Sequence, residues 1–132
     1  MLGDRLAART LELIDIPSGS RDEARLAAHV ASLTDAEDLG DTCLIVRRGA
    51  PVLLAGHLDT VPAQDNIPGR RDDERVHGLG ASDMKGALAV MIELARAGAP
   101  FDCLFSAARS SRASTARSPR CWNDSGSTTS SS

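Results

Sequence analysis

Residues 56–62 read Gly-His-Leu-Asp-Thr-Val-Pro, and residues 78–86 read Gly-Leu-Gly-Ala-Ser-Asp-Met-Lys-Gly. The apolar run over 52–55 lacks polar alternation, which predicts a strand covered on both faces of a sheet. The second stretch predicts a glycine-rich loop that enters a helix over 84–97. Ligands collect at the carboxyl ends of strands in open α/β sheets, so a site is expected at the end of this strand.

Three side chains in these stretches are candidate metal-site residues: His57, Asp59 and Asp83. On an extended segment His57 and Asp59 project to the same side, so Asp59 can accept the ring N–H that a metal-bound His57 leaves free. Asp83 follows two glycines and can bridge two ions through its two oxygens. Taken singly, a His-x-Asp pair is typical of a surface, Asp83 of a helix N-cap, and Lys85 of a solvated first turn. Their joint occurrence at a strand end and a helix start favours a metal site.

The sequence around these stretches predicts the rest of the framework. Apolar spacing predicts a helix over 3–16. A capping box at 20–23 predicts the start of a second helix, with an apolar face made of Leu26, Ala27, Val30 and Leu33. A polar run predicts a surface loop over 63–75. Short apolar runs predict further strands over 43–46, 76–80 and 101–105.

The composition argues against several functional classes. The formal net charge is −3 and no basic stripe lies along one predicted element, which argues against a nucleic-acid partner. The sequence starts without an apolar leader and has no run of membrane-spanning length, which predicts a soluble, cytoplasmic protein without a membrane partner. The cysteines show neither ligand spacing nor a disulfide framework, so a reducing compartment is predicted; they are Cys43, Cys103 and Cys121.

Residues 56–62 and 80–86 resemble the two N-terminal signatures of the M20 metallopeptidase family, and within it most closely those of the succinyl-diaminopimelate desuccinylases. The resemblance covers roughly residues 1–105. It implies an α/β fold, namely the incomplete N-terminal portion of a zinc-peptidase-like (phosphorylase/hydrolase-like) catalytic domain, with a sheet flanked by helices. Residues 106–132 are predicted to be a separate, Ser/Arg-rich tail.

The resemblance also implies a cofactor and roles for the site residues. Two Zn²⁺ ions, with Co²⁺ as an alternative, would occupy a complete site. His57 would ligate one ion, Asp83 would bridge both, and Asp59 would be the catalytic residue that supports His57. In the family a Glu-Glu pair then supplies the general base and a further ligand. The 132 residues contain no Glu-Glu pair, so this chain is expected to be inactive or nearly so.

The reaction that the resemblance implies is hydrolysis of an amide bond in a small-molecule substrate. N-succinyl-LL-diaminopimelate and water would give succinate and LL-diaminopimelate, a step of lysine and diaminopimelate biosynthesis. The family also implies a homodimer, although its dimerisation domain is absent from these residues. The alternatives are another M20 deacylase of the N-acyl-amino-acid or acetylornithine type, a dipeptidase, a non-catalytic fragment, or a chain that does not fold stably.

The tail over 106–132 carries ten serines and no hydrophobic periodicity, which is typical of disorder. A second interpretation starts from the 14 arginines against one lysine, a usage that indicates a GC-rich gene. Back-translated with GC-rich codons and read from a boundary one nucleotide earlier, residues 108–112 give Glu-Glu-Leu-Pro. The resulting hypothesis is that residues from about 103–106 onward are a frameshifted translation of a longer hydrolase gene.

Overall fold

The computed structural model describes residues 2–19 and 21–107 of the chain. From position 108 onward the predicted tail lies outside the described residues, and so does the frameshift hypothesis that concerns it. The described chain is an α/β unit, in agreement with the predicted fold class. Its helices are α1 Leu2–Ile14, α2 Ala24–Leu33 and α3 Gly86–Arg96, and its strands are β1 Glu37–Gly40, β2 Cys43–Val46, β3 Leu53–His57, β4 Arg70–Arg71, β5 Val76–His77 and β6 Asp102–Ser106.

Four of these strands form one mixed sheet in the order β1-β2-β6-β3. The β1/β2 and β2/β6 pairs are antiparallel, whereas β3 runs parallel to β6 with Leu53 opposite Asp102 and His57 opposite Ser106. The short strands β4 and β5 form a separate antiparallel hairpin. The parallel pair places the carboxyl ends of β3 and β6 side by side, and His57 lies at this edge of the sheet.

α2 and α3 pack on one face of the main sheet, and α1 packs on α3 and on the turn before it. None of the described helices is long and apolar enough to cross a membrane. β3 is at the sheet edge, where Leu53 is 37% exposed and Ala55 is exposed as well. The expectation that this strand is covered on both faces is therefore wrong, since the described helices cover only the face of Leu54. The same face receives alternating side chains of β2 and β6: Leu44, Val46, Cys103 and Phe105.

The start of α2 differs from the predicted capping box. The helix begins at Ala24, and Glu23 is its N-cap rather than a residue of its first turn. The Glu23 carboxylate accepts the backbone N–H of Arg21 at 2.8 Å, while Ser20 lies outside the described residues. The predicted apolar face is confirmed, because Leu26, Ala27 and Val30 are buried and Leu33 packs against the same core.

Other boundaries depend on contacts that no local pattern shows. α3 begins at Gly86, later than predicted, because residues 81–85 form a wide turn in which Asp83 and Met84 have non-helical dihedral angles. The predicted surface loop contains β4, and the strand predicted after it is reduced to the two residues of β5. β1 was missed altogether: its sequence, Glu-Asp-Leu-Gly, has low strand propensity, and pairing with β2 makes it extended.

Candidate metal site

The carboxyl end of β3 is built against the start of α3. Gly56 allows this close approach, since a Cβ there would lie 2.7 Å from Met84 Cε and 2.9 Å from Leu88 Cδ2. His57 follows as the last residue of the strand, and its backbone N–H points at Met84 Sδ, 3.3 Å away. This contact fixes the position from which the His57 side chain leaves the sheet.

The structure brings the three candidate residues together. His57 Nε2 lies 2.9 Å from Asp83 Oδ1, while His57 Nδ1 lies 3.3 Å from Asp59 Oδ1 and 3.1 Å from the Asp59 carbonyl oxygen. The Asp59 side chain is 13% exposed, whereas that of Asp83 is 85% exposed. One ring nitrogen therefore meets a nearly buried carboxylate, and the other meets a carboxylate that is open to solvent.

These neighbours set the charge state of His57. Burial lowers the pKa of the imidazole, but the hydrogen bond to Asp83, the hydrogen bond to the Asp59 carbonyl and the two carboxylate charges outweigh it, so the pKa lies above its usual value. A protonated imidazole donates from both nitrogens, and a metal ion binds only the neutral ring. Metal binding at His57 is therefore expected to compete with protons.

Gly80 allows the turn that carries Asp83 to pack closely against the segment that follows β3. Gly80 has a φ of +78°, a left-handed conformation that favours glycine, and a Cβ there would meet Thr60 Cγ2 at 2.7 Å. The backbone N–H of Lys85 donates to the Gly80 carbonyl at 2.8 Å and closes the turn. Asp83 is thus presented by a wide turn, and it is not the N-cap of α3, a position that Lys85 occupies.

Lys85 is fully buried, with 1% of its surface exposed. Its Nζ donates to two carbonyl oxygens, that of Leu13 in the last turn of α1 at 2.7 Å and that of Ile16 after the helix at 2.9 Å. Burial lowers the pKa of the ammonium to about 8, and the charge of Asp15 opposes this shift. The interpretation of Lys85 as a solvated residue is therefore wrong. Its partners lie 72 and 69 positions away, beyond the reach of local patterns.

Ser18 lies behind the site and was not singled out from the sequence. It is 1% exposed, its hydroxyl donates to the Leu58 carbonyl at 2.8 Å, and its own carbonyl accepts the N–H of Thr60 at 2.8 Å. These bonds attach the loop around Asp59 to the segment after α1. The Pro-Ser-Gly sequence at 17–19 predicted only the end of a helix, because the partner of the hydroxyl is 40 positions away.

The three candidate side chains line an open cleft of about 430 Å³. His57 Nε2 and the Asp83 oxygens are donors of kinds that zinc binds, and Asp59 stands where a supporting carboxylate is found behind a zinc-bound histidine. Within residues 2–19 and 21–107, no group of three His, Cys, Asp or Glu side chains is placed to hold one ion. The donor types therefore fit zinc, but two donors are fewer than a tight zinc site has.

A larger groove, of about 640 Å³, lies between α1 and α3. Its walls mix apolar and charged side chains, Arg5 and Glu93 among the latter, and it contains none of the three candidate residues. These two side chains approach each other to 3.8 Å in an ion pair. Size alone therefore does not identify the site, and the smaller cleft is the one that combines a histidine with two carboxylates.

Comparison with known proteins identifies relatives of this region. The model of peptidase family M20/M25/M40 matches residues 53–102. A putative succinyl-diaminopimelate desuccinylase of Mycobacterium tuberculosis is 46% identical over 96 residues, covering 65% of this chain and 27% of that protein. The succinyl-diaminopimelate desuccinylase of Corynebacterium glutamicum is 36% identical over 103 residues, covering 70% and 28%. An N-acetyl-L-citrulline deacetylase of Xanthomonas campestris is 43% identical over 65 residues, covering 45% and 18%.

Solved structures show the same fold at low identity. The aminopeptidase PepT from Bacillus cereus matches with a TM-score of 0.65 at 19% identity, covering 82% of this chain and 37% of that one. An M20 family metallo-carboxypeptidase from Sulfolobus solfataricus matches with a TM-score of 0.54 at 18% identity, covering 78% and 30%. The chain spans about a quarter of the length of the curated desuccinylases it matches. The predicted resemblance to the M20 family is confirmed for the N-terminal part of the chain.

Proposed function

We propose that this chain, whose residues 53–102 match the M20/M25/M40 peptidase family, carries the first part of the active site of a metal-dependent amide hydrolase. The observation that carries the proposal is the meeting of His57 Nε2 and Asp83 Oδ1, 2.9 Å apart, in the cleft at the end of β3. In the proposed site His57 and Asp83 would hold the metal, and Asp59 would support the imidazole.

Zinc held there would polarise the substrate carbonyl and lower the pKa of a bound water. The residues of this chain orient the donors. Once Nε2 has lost its proton, the Asp59 carbonyl at 3.1 Å and the Asp59 carboxylate at 3.3 Å hold the remaining ring proton on Nδ1, so the lone pair of Nε2 faces the cleft. Asp83 is exposed, and its carboxylate can exchange its hydrogen bond with His57 for a metal ion without leaving a buried group unpaired.

The proposed substrate of the whole protein is N-succinyl-LL-diaminopimelate. Identities of 46% and 36% with proteins named as succinyl-diaminopimelate desuccinylases support this choice. A small-molecule substrate, zinc or cobalt, a cytoplasmic location and a homodimer of the whole protein belong to the same proposal. The second candidate is deacylation of an N-acetyl amino acid, which the 43% identity with the citrulline deacetylase supports. The kcat/KM of the whole protein on succinylated and acetylated substrates distinguishes the two.

The 132 residues by themselves are proposed to be inactive, because the sequence contains no Glu-Glu pair to act as general base and further ligand. The purified chain with added Zn²⁺ or Co²⁺ is expected to release no succinate from the succinylated substrate, while calorimetry detects weak ion binding. The His57→Ala variant is the control for binding at the site. Enzyme-like turnover by the chain would contradict its proposed inactivity. A wild-type chain that binds no ion would favour a non-catalytic fragment.

The frameshift hypothesis adds a gain-of-function test. The nucleotide sequence across codons 100–133 is expected to contain an open alternative frame that encodes Glu-Glu-Leu-Pro at residues 108–112. Protein expressed in that frame is expected to hydrolyse the succinylated substrate with Zn²⁺, and its His57→Ala variant is expected to be inactive. A stop codon soon after the shift in the alternative frame would end the hypothesis.

A further inference from the structure

Three hydrogen bonds hold the backbone on either side of Asp59. The Ser18 hydroxyl donates to the Leu58 carbonyl, and the Thr60 N–H donates to the Ser18 carbonyl, each at 2.8 Å. From the opposite side, the Leu58 N–H donates to the carbonyl of Ser106 at 2.8 Å and continues the pairing with β6. Ser18, Leu58 and Thr60 are at most 5% exposed, so water does not readily replace these bonds.

The turn of Asp83 is attached to the same segment through Lys85. The buried Nζ donates to the carbonyl of Leu13 in the last turn of α1 and to that of Ile16 just after the helix. Carbonyl groups at a helix C-terminus carry partial negative charge, which makes an ammonium a favourable partner there. Residues 13–18 therefore contact both loops that carry the carboxylates of the proposed site.

The burial of Lys85 also indicates a role beyond stability. An ammonium that loses its water shell carries a desolvation cost that an apolar side chain of similar length does not. The ion pair of Arg48 with Asp35, at 3.0 Å, by contrast keeps its aspartate exposed to water. Unlike an apolar side chain, Lys85 makes directional hydrogen bonds. These bonds fix the positions of two particular carbonyl groups relative to the turn.

We propose that Ser18 and Lys85 are positioning residues, which act through the segment 13–18 to set the distance between the two carboxylates that flank the His57 imidazole. The segment acts as a common support for two loops that the sequence separates. The inference rests on the proposed function in one respect, which is that the distance between the carboxylates serves metal binding. The hydrogen bonds that define it do not depend on that function.

The test compares two variants with a matched control in the full chain. Ser18→Ala removes one buried hydroxyl that donates to a carbonyl, and Lys85→Met removes the ammonium but keeps an unbranched side chain of similar length. Thr10→Val is the control, because the Thr10 hydroxyl also donates to a carbonyl, that of Leu6 at 2.8 Å, and Thr10 is 7% exposed. Circular dichroism first identifies conditions in which each variant is folded.

The primary measurement is the nitrogen and proton signals of the His57 ring by NMR, without metal and at constant pH. Ser18→Ala and Lys85→Met are expected to shift these signals, because the carboxylates move relative to the ring, whereas Thr10→Val leaves them in place. The second measurement is Co²⁺ titration, in which the two variants are expected to bind about tenfold more weakly than wild type, with a changed absorption spectrum, and Thr10→Val is expected to bind as wild type.

Unchanged ring signals in folded Ser18→Ala would overturn the positioning role, and so would an equal shift in Thr10→Val. If Lys85→Met does not fold, Ser18→Ala decides alone. If the wild-type chain binds no Co²⁺, the proposed function is contradicted, while the ring signals still decide whether Ser18 and Lys85 position the carboxylates. Failure of the two proposals is therefore distinguishable.

Discussion

Two histidine–aspartate pairs of this chain have nearly the same contact and different surroundings. His57 Nε2 lies 2.9 Å from Asp83 Oδ1, and His77 Nε2 lies 2.8 Å from Asp72 Oδ2. The pair of His77 joins residues five positions apart beside one hairpin, whereas the pair of His57 joins residues 26 positions apart that only the fold brings together. Contact distance therefore does not distinguish a turn from a candidate site.

The two pairs differ in the contacts of their remaining side-chain atoms. The other oxygen of Asp72 accepts the N–H groups of Glu74 and Arg75 at 2.9 and 2.8 Å, so that carboxylate closes the turn between β4 and β5. The other nitrogen of His57 meets Asp59, and the cleft beside it contains both carboxylates. A carboxylate that serves the backbone indicates local structure, whereas one that orients an imidazole beside a cleft indicates metal chemistry.

Replacing each histidine tests this distinction with the largest expected effect. His57→Ala is expected to abolish detectable Co²⁺ binding, because it removes the proposed ligand, whereas His77→Ala is expected to bind as wild type. Calorimetric titration of both variants measures the difference. Equal loss of binding in the two variants would show that the surroundings of the pairs do not matter.

Gly56→Val tests the close packing between the end of β3, which carries His57, and the start of α3. The added Cβ would lie 2.7 Å from Met84 Cε and 2.9 Å from Leu88 Cδ2, so overpacking is expected to lower the free energy of unfolding by about 1–3 kcal/mol in urea. Gly3→Ala is the control, since a Cβ at Gly3 meets nothing within 4 Å and its unfolding free energy should not fall. A Gly56→Val protein as stable as wild type would mean that α3 does not pack on the strand end.

The two aspartates beside the histidines are compared next. Asp59→Asn is expected to weaken Co²⁺ binding about tenfold, because the amide orients the imidazole less strongly than a carboxylate does. Asp72→Asn is expected to leave Co²⁺ affinity unchanged, since its carboxylate serves a turn. Wild-type affinity in Asp59→Asn would remove the supporting role of that residue.

Thr60→Val and Ser18→Ala compare two buried hydroxyls, one without and one with a hydrogen-bond partner among the described residues. The Thr60 hydroxyl is buried and has no hydrogen-bond partner among the residues that the structure describes. An isosteric apolar side chain is therefore expected to leave the unfolding free energy unchanged or to raise it by about 1 kcal/mol, while Ser18→Ala lowers it. Thermal melts of the two variants measure this, and clear destabilisation by Thr60→Val would show that the hydroxyl has a partner.

The smallest expected effect is a pH dependence in the hairpin. The hydrogen bond from His77, followed by those from Glu74 and Arg75, lowers the pKa of Asp72 from 3.8 to about 2. A carboxyl with a lowered folded-state pKa contributes stability that is present above pH 3.8 and is lost as the pH falls toward 2. Asp72→Asn lacks this contribution, so its unfolding curve should approach that of wild type near pH 2. A constant difference between the curves across this range would contradict the assignment.

Much of the framework could be predicted because its patterns are local. The strand over 43–46 and the apolar face of α2 follow from neighbouring side chains alone. The proximity of His57 and Asp59 follows from their spacing on an extended segment, which places both side chains on one side.

The elements that could not be predicted depend on distant contacts. β1 is extended through pairing with β2, and the exposure of β3 depends on its place at the sheet edge. The hydrogen bonds of Lys85 and Ser18 connect residues that are 40 to 72 positions apart. Propensity and periodicity describe a few neighbouring residues, so they do not contain this information.

By itself, the sequence determined which donors are available and to which family their spacing is similar, since residue types and strand periodicity are local properties. The tertiary structure decided which carboxylate meets which nitrogen of His57, and that the only lysine is buried under the site. The physical reason is that both results require α3 to pack on the sheet and α1 to pack on α3, and a side chain becomes buried only when distant segments close around it.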